Sequence, residues 1–192
     1  VLPPELEREF GLMGLALEAK PEREKTVYSV MLKFSGLLKD LGLSPLKGQK
    51  FSIKLEIDSN PPAGWILEQS VISRTYIFAV SHYDLSSLFA GKLHACFYRP
   101  YTKGRDIYDL IWYLGKKLLP NFLLLNNAIT QTQGSSLGVN KGNFQEFLLD
   151  AVDKMDFPTA RRDVERFLED KTELALFDTK LLKNLIHNWE GK

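Results

Sequence analysis

Hydrophobic and polar residues alternate most regularly over Lys50–Asp58, where Phe51, Ile53, Leu55 and Ile57 are separated by polar side chains. This period of two predicts a strand with one apolar face. Runs rich in β-branched and aromatic residues predict further strands over 26–34, 65–73 and 75–80, and a looser alternation predicts one over 15–19. The first half of the chain therefore favours a sheet.

Apolar residues recur at helical spacing after Asp84, a natural N-cap. The spacing i, i+3, i+4, i+8, i+11 is that of a buried helical face. The residues expected on this face are Leu85, Leu88, Phe89, Leu93 and Cys96. A second helix is predicted to open at Gly104–Arg105, with its own apolar face and with Asp106 and Asp109 on an adjoining face.

Shorter helices are predicted over 5–10, 37–41 and 121–125, with a charged turn over 20–25. A Gly/Ser-rich stretch over 131–142 indicates a flexible loop, and three amphipathic helices follow it, introduced by Phe144, Asp156 and Asp178. The pattern as a whole predicts an α+β fold. It comprises an antiparallel or mixed sheet of about five strands, a helical pair over 84–118 beside it, and a C-terminal helical bundle.

Charge and cysteine content narrow the functional classes. The chain of 192 residues carries 25 basic and 24 acidic side chains, so a generally basic nucleic-acid-binding surface is excluded. Its one cysteine, Cys96, falls on an apolar stripe and is interpreted as a packed thiol rather than a nucleophile. No zinc motif, signal peptide or long apolar run occurs, and we expect a cytoplasmic protein that does not use a membrane.

Lys92 is the residue that this pattern does not explain, because it lies at the i+7 position of the buried stripe. Burial disfavours a charged ammonium, so the side chain requires a carboxylate or a wet cleft. Arg99 would share this edge if the helix continued, and Asp106 and Asp109 are available on the next helix. A simpler interpretation makes Arg105 and Asp109 an i,i+4 surface pair, but it leaves Lys92 unpaired.

These residues also carry a family resemblance. Lys92-Leu93-His94-Ala95 with Arg99, followed by the segment 105–110, resembles the paired KLxAxxxR and RDxxDL motifs of the AbiEii/AbiGii-type abortive-infection toxins, which are nucleotidyltransferases. The segment 53–58, followed by Asn60-Pro61-Pro62, resembles the strand that carries the third acidic position of that family.

The resemblance implies a nucleotidyltransferase-type fold. Residues 1–118 would be the C-terminal part of the catalytic core and residues 119–192 a helical bundle, although the two can pack as one compact unit. It further implies transfer of a nucleotide from an NTP with Mg²⁺, a tRNA or other RNA acceptor, and a separate antitoxin protein as partner.

The resemblance also implies roles for individual residues. Lys92 would bind the triphosphate, with Arg99 and Arg105 as supporting charges. Asp106 would orient Lys92 or assist the acceptor, and Asp109 would brace the second helix at the nucleotide site.

The third acid is expected on the predicted strand 50–58. Glu56 and Asp58 project from one face about 7 Å apart. By resemblance, one of them would help to activate the attacking hydroxyl, and both are expected to bind the metal.

One departure from the family is evident. Its members carry a Gly-Ser turn that leads into an Asp-x-Asp strand, and this pair of motifs is not found here. Two explanations remain open: the chain is the C-terminal part of a longer enzyme, which its start at Val1 favours, or it is a catalytically degenerate member. Two rival functions also remain, namely a non-catalytic RNA- or protein-binding module using Lys92, Arg99 and Arg105, and a purely structural ion network.

Overall fold

The computed structural model describes residues 2–24 and 26–190, and the chain divides into two compact units, Val1–Pro61 and Pro62–Lys192. The strands form small antiparallel sheets in the first part of the chain, and the part after Asp84 is helical. This order is the one expected, and it confirms the α+β class. Among the described residues, no helix has both the length and the apolar composition required to cross a bilayer.

The first unit is a three-stranded antiparallel sheet with order β1-β2-β3. Its elements are α1 (Leu2–Leu12), β1 (Leu17–Glu24), β2 (Val27–Ser35), a short α2 (Leu37–Asp40) and β3 (Lys50–Asp58). The bounds of β3 are those predicted. The charged turn predicted over 20–25 is wrong over its described part, because β1 continues to Glu24. Pro21 is compatible with this strand because an edge strand does not need every amide donor.

The register of the sheet collects the apolar residues on one face. Phe34 pairs with Leu17 on one side and Phe51 on the other, and Leu32 pairs with Ala19 and Ile53. Helix α1 packs on β1, and the Phe10 ring meets the Phe34 ring edge-on at 5.3 Å. Leu32 and Phe34 are consequently buried, and they form the small core of this unit.

The second unit begins with a separate antiparallel hairpin of β4 (Leu67–Ser73) and β5 (Ile77–Tyr83). The expected single sheet of about five strands is therefore wrong: within the described residues β3 and β4 are not hydrogen-bonded neighbours. The segment between them contains Asn60-Pro61-Pro62, and consecutive prolines lack the amide donors that a ladder needs.

The rest of this unit is helical. Its helices are α3 (Leu85–Tyr98), α4 (Gly104–Gly115), α5 (Phe122–Gln133), α6 (Phe144–Val152), α7 (Phe157–Val164) and α8 (Thr179–His187), with 3-10 turns over Glu165–Phe167 and Lys171–Leu176. Four of these helices begin at a side chain that accepts the amide three residues on. These N-caps are Asp84, Asn121, Asp156 and Asp178.

Helix α5 is longer than the sequence indicated. The predicted helix over 121–125 continues to Gln133, and the loop expected from 131 begins at Gly134, whose φ of 77° ends the helix. Burial of Leu125 and Ile129 one turn apart stabilises this extension.

The helices share one apolar core, which draws on both sides of residue 118. Its largest fully buried side chains are Phe89, Phe144, Leu93, Leu110, Leu114, Leu125, Ile129, Leu148, Leu182 and Ile186. Phe89 stacks on Tyr113 with ring centroids 4.7 Å apart. The division at residue 118 stays a prediction.

Helix α3 is rotated relative to the predicted buried stripe. Phe89 and Leu93 are fully buried as expected, whereas Leu85 and Leu88 are 48% and 42% exposed. Ser87 lies inside instead, because its hydroxyl accepts hydrogen bonds from the Ile66 amide and from the Asn121 side chain. These polar contacts turn the Ser87 side of α3 toward the start of α5.

We expect Phe89→Ala to lower the free energy of unfolding by about 3–5 kcal/mol, because a fully buried ring is lost from a packed core. Urea unfolding followed by tryptophan fluorescence measures it. The neighbouring substitution Leu88→Ala is the control and should cost less than about 1 kcal/mol. Equal losses for the two variants would contradict this orientation of α3.

Candidate active site

Lys92 forms ion pairs with two carboxylates on α4. Its Nζ lies 3.0 Å from Asp106 Oδ1 and 2.7 Å from Asp109 Oδ2. The two aspartates are three residues apart and therefore share one face of α4. The requirement that a cation on this stripe be paired is thus met by the facing helix.

Asp106 is the centre of the cluster. Its side chain is only 5% exposed, and it accepts hydrogen bonds from both Lys92 and Arg99. Its backbone carbonyl accepts the Cys96 thiol at 3.1 Å. Asp106 also lies in the first turn of α4, where the helix dipole favours a negative charge.

Arg99 reaches Asp106 because α3 ends just before it. The last helical residue is Tyr98, and Arg99 adopts an extended conformation with φ of −73° and ψ of 137°. Its guanidinium also lies 5.4 Å from the ring centroid of Tyr101. The helix thus does not continue to Arg99, and the extended turn itself directs Arg99 to the carboxylate.

The electrostatics keep Lys92 charged. Burial alone would lower the pKa of Lys92, but hydrogen bonds from its ammonium to Asp109 and Asp106 outweigh burial, and the pKa lies above its ordinary value of 10.5. Burial raises the pKa of the Cys96 thiol, so this thiol is protonated at neutral pH. Because the thiolate is the nucleophilic form, the interpretation of Cys96 as a packed thiol is supported.

The cluster is only partly shielded from solvent. Lys92 and Arg99 are 25% and 27% exposed at their side chains, and Asp109 is 43% exposed. The buried carboxylate of Asp106 thus holds two cations whose outer sides reach water. The outer donors of both cations are therefore accessible from solvent.

Arg105 takes a different position. It is exposed and lines a cleft of about 480 Å³ with Tyr108 and Glu173. A hydrogen bond to the Glu173 carboxylate raises the pKa of Tyr108. Among the described residues, Asp109 pairs with Lys92 and not with Arg105, so the suggested i,i+4 surface pair is wrong.

Glu56 and Asp58 belong to the first unit, where both are exposed on β3. Glu56 accepts a hydrogen bond from Lys54 at 2.7 Å, and Asp58 accepts the Asn60 amide at 2.9 Å. Two carboxylates on one strand face suit Mg²⁺, which commonly binds one or two protein carboxylates together with substrate phosphates. Their roles as the third acid and as metal ligands stay predictions.

The described part of the chain holds no larger group of metal ligands. Within residues 2–24 and 26–190, no three or more His, Cys, Asp or Glu side chains are placed to hold a metal ion.

The sequence offered no signal for one contact of the site. The amide of Gly104, at the start of α4, donates to Asp163 Oδ2 at 2.9 Å across 59 residues of chain. Charged neighbours of both signs along this segment predict a solvated helix face, and they hide a single inward carboxylate. Only the packing of α7 on α4 reveals the contact.

Comparison with known proteins gives one match. The family model described as "Nucleotidyl transferase AbiEii toxin, Type IV TA system" matches residues 8–183. No curated protein and no solved structure matches the chain. The matched range includes both motif segments and most of the helical bundle, which confirms the resemblance drawn from Lys92 to Leu110.

We expect Asp106→Ala to lower the free energy of unfolding by about 1.5–3 kcal/mol, because Lys92 and Arg99 lose a charge-assisted hydrogen-bond partner that is buried. Urea unfolding at neutral pH measures the loss. As the control, Asp153→Ala removes an exposed carboxylate paired with Lys183 and should cost less than about 1 kcal/mol. If the two losses match, Asp106 is not the centre of the cluster.

The raised pKa of Lys92 predicts a loss of stability at alkaline pH. The ammonium is favoured in the folded chain, so its contribution is fully present below about pH 10.5 and is lost as the pH rises through the higher folded value. The measurement compares the unfolding free energies of wild type and Lys92→Met from about pH 7 to about pH 12. Their difference should shrink above about pH 10.5, and a constant difference would contradict this linkage.

Proposed function

Since the chain belongs to the AbiEii family of nucleotidyl transferase toxins, we propose that it takes part in the transfer of a nucleotide from an Mg-NTP to an RNA acceptor. The observation that supports this most directly is the pairing of Lys92 with Asp106 and Asp109, with Arg99 on the same buried carboxylate. A charged cluster held this way positions a cation for a phosphate.

Lys92 is the proposed triphosphate ligand. An ammonium has three N–H donors, and the two carboxylates take two of them. The third donor is then held in a defined direction and can reach a phosphate oxygen without reorganisation of the site. The raised pKa of Lys92 keeps the group positive at neutral pH.

Arg99 and Arg105 are the proposed supporting charges. Arg99 uses part of its five-donor guanidinium on Asp106 and keeps the remainder for a second phosphate. Arg105 is exposed at the start of α4, the helix that carries Asp106, and is proposed to attract the phosphates at longer range. Asp109 is the proposed brace that holds the ammonium from the second side.

The proposed reaction joins an acceptor hydroxyl oxygen to the α-phosphorus of the NTP, breaks the bond to the β-phosphate oxygen, and releases pyrophosphate. Lys92 and Arg99 would stabilise the negative charge that develops on the leaving phosphates. Glu56 or Asp58 would take the hydroxyl proton, and these two carboxylates would hold Mg²⁺, which neutralises phosphate charge when it is bound. Asp106 would keep Lys92 oriented.

We propose in addition that these residues bind the nucleotide but do not complete the transfer by themselves. The Gly-Ser turn leading into an Asp-x-Asp strand is not found in the sequence. The dipeptide Gly134–Ser135 lies at the C-cap of α5, and a loop follows it. The missing carboxylate pair would have to be supplied for chemistry to occur.

A non-catalytic RNA- or protein-binding module that uses Lys92, Arg99 and Arg105 is the main alternative. The family match favours the transfer reaction over this module. The two functions also differ in salt dependence, because affinity for an RNA backbone comes mainly from contacts to its phosphates. The family is that of a type IV toxin–antitoxin system, in which a toxin is paired with an antitoxin.

The proposal predicts that excess Mg-NTP stabilises the chain. At about one hundred times the dissociation constant the gain is about 2.7 kcal/mol, which raises the unfolding midpoint by about 5 °C or more. Lys92→Ala should lose this shift because the phosphate ligand is removed. Scanning calorimetry with and without Mg-NTP measures both midpoints.

The matched control is Lys183→Ala, which removes a lysine paired with one carboxylate elsewhere in the same unit. It should keep the full shift. A shift that survives in Lys92→Ala, or no shift in the wild type, argues against nucleotide binding at this cluster. RNA binding that falls steeply with salt and ignores NTP would instead favour the alternative module.

A further inference from the structure

The start of α4 is attached to the C-terminal bundle by a contact across helices. Gly104 is the first helical residue, and Lys103 before it provides no side-chain cap. The amide N–H groups in the first turn of a helix have no partner within the helix. Asp163 of α7 provides one, since its Oδ2 accepts the Gly104 amide at 2.9 Å.

The same contact leaves no room for a side chain on Gly104. A Cβ atom built there would overlap the carbonyl oxygen of Ala160 and would lie 2.9 Å from the amide nitrogen of Val164. Both are backbone atoms of α7, which cannot move aside as a flexible side chain can. The first turn of α4 therefore lies directly on the backbone of α7.

Asp163 is itself oriented by a neighbour. Its side chain is 29% exposed, and its Oδ1 lies 3.6 Å from the Arg166 guanidinium one helical turn away. The two carboxylate oxygens are thus divided between Arg166 and the Gly104 amide. This division directs Oδ2 toward α4.

Asp106 follows Gly104 by two residues in the same turn, so the contact determines where its buried carboxylate lies. That carboxylate is bonded to Lys92 and Arg99 on the other side. A displacement of the turn by about 1 Å would lengthen both bonds, and misplacements of this size can cost about a hundredfold in a functional site.

We propose that Asp163 is a positioning residue of the nucleotide site: through the Gly104 amide it sets the first turn of α4, so that Asp106 aligns Lys92 and Arg99 for the triphosphate. This rests on the proposed function. Asp163 does not contact the nucleotide in this proposal, and it acts only through the backbone of α4. Through Asp163, the C-terminal bundle would contribute to the geometry of the nucleotide site.

The first test measures the dissociation constant of Mg-NTP by calorimetry for Asp163→Ala, Asp163→Asn and the wild type. Asp163→Ala should bind about tenfold more weakly, because the first turn of α4 loses its anchor. Asp163→Asn retains an oxygen acceptor for the Gly104 amide and should stay within about threefold of the wild type. Unchanged binding in Asp163→Ala would overturn the proposal.

Asp178→Ala is the matched control. Asp178 also accepts a backbone amide at a helix start, that of Leu181 at 2.8 Å, but on α8. Losing such a cap destabilises α8 without removing a hydrogen bond to the first turn of α4, and nucleotide binding should stay within about twofold. A purely structural role for Asp163 would make the two alanine variants alike in binding.

A second readout does not depend on the nucleotide. Acetylation of Lys92 by an N-hydroxysuccinimide ester, followed by peptide mass spectrometry, reports how firmly the ammonium is held by its carboxylates. The rate should rise severalfold in Asp163→Ala and stay unchanged in Asp178→Ala. If the wild type binds no Mg-NTP, the proposed function is wrong. The role of Asp163 in positioning Lys92 is then rejected only if the wild type, Asp163→Ala and Asp178→Ala are acetylated at equal rates.

Discussion

The buried carboxylate of Asp106 is the constraint on which the arrangement of the second unit depends. With a side chain only 5% exposed, it needs cations within hydrogen-bonding distance, because an unpaired buried charge is strongly destabilising. Lys92 and Arg99 provide them from either side of the end of α3. The length of α3, the extended turn after it and the direction of α4 all agree with this single requirement.

Partial exposure leaves this cluster accessible to a ligand, which a fully buried ion network would not be. A network built for stability alone gains little over apolar packing, since desolvation offsets most of the attraction. Here the anion is buried, while Lys92 and Asp109 remain open to water on one side. The surrounding core, with Phe89 stacked on Tyr113, provides the rigidity that the charged groups do not provide themselves.

The family match includes the segment that forms the charged cluster. The match covers residues 8–183, and within that range the motif residues Lys92, Arg99, Asp106 and Asp109 form one connected cluster. Arg105, which belongs to the same motif, lies apart at an open cleft. Membership in the family is thus established, while nucleotide, acceptor and metal are proposals based on the cluster.

Local patterns in the sequence determined much of the fold. The alternation over Lys50–Asp58 was enough for the strand β3, and Asp84 and Asp178 were sufficient as N-caps, because these signals act within one turn or one strand. The motif spacing likewise identified Lys92 and its acidic partners. Only the tertiary structure decided the rest: the two separate sheets, the rotation of α3 that exposes Leu88, and the contact of Asp163 with Gly104. Each of these features depends on how distant elements pack against each other. A contact between residues 59 apart in the chain produces no periodic pattern in the sequence.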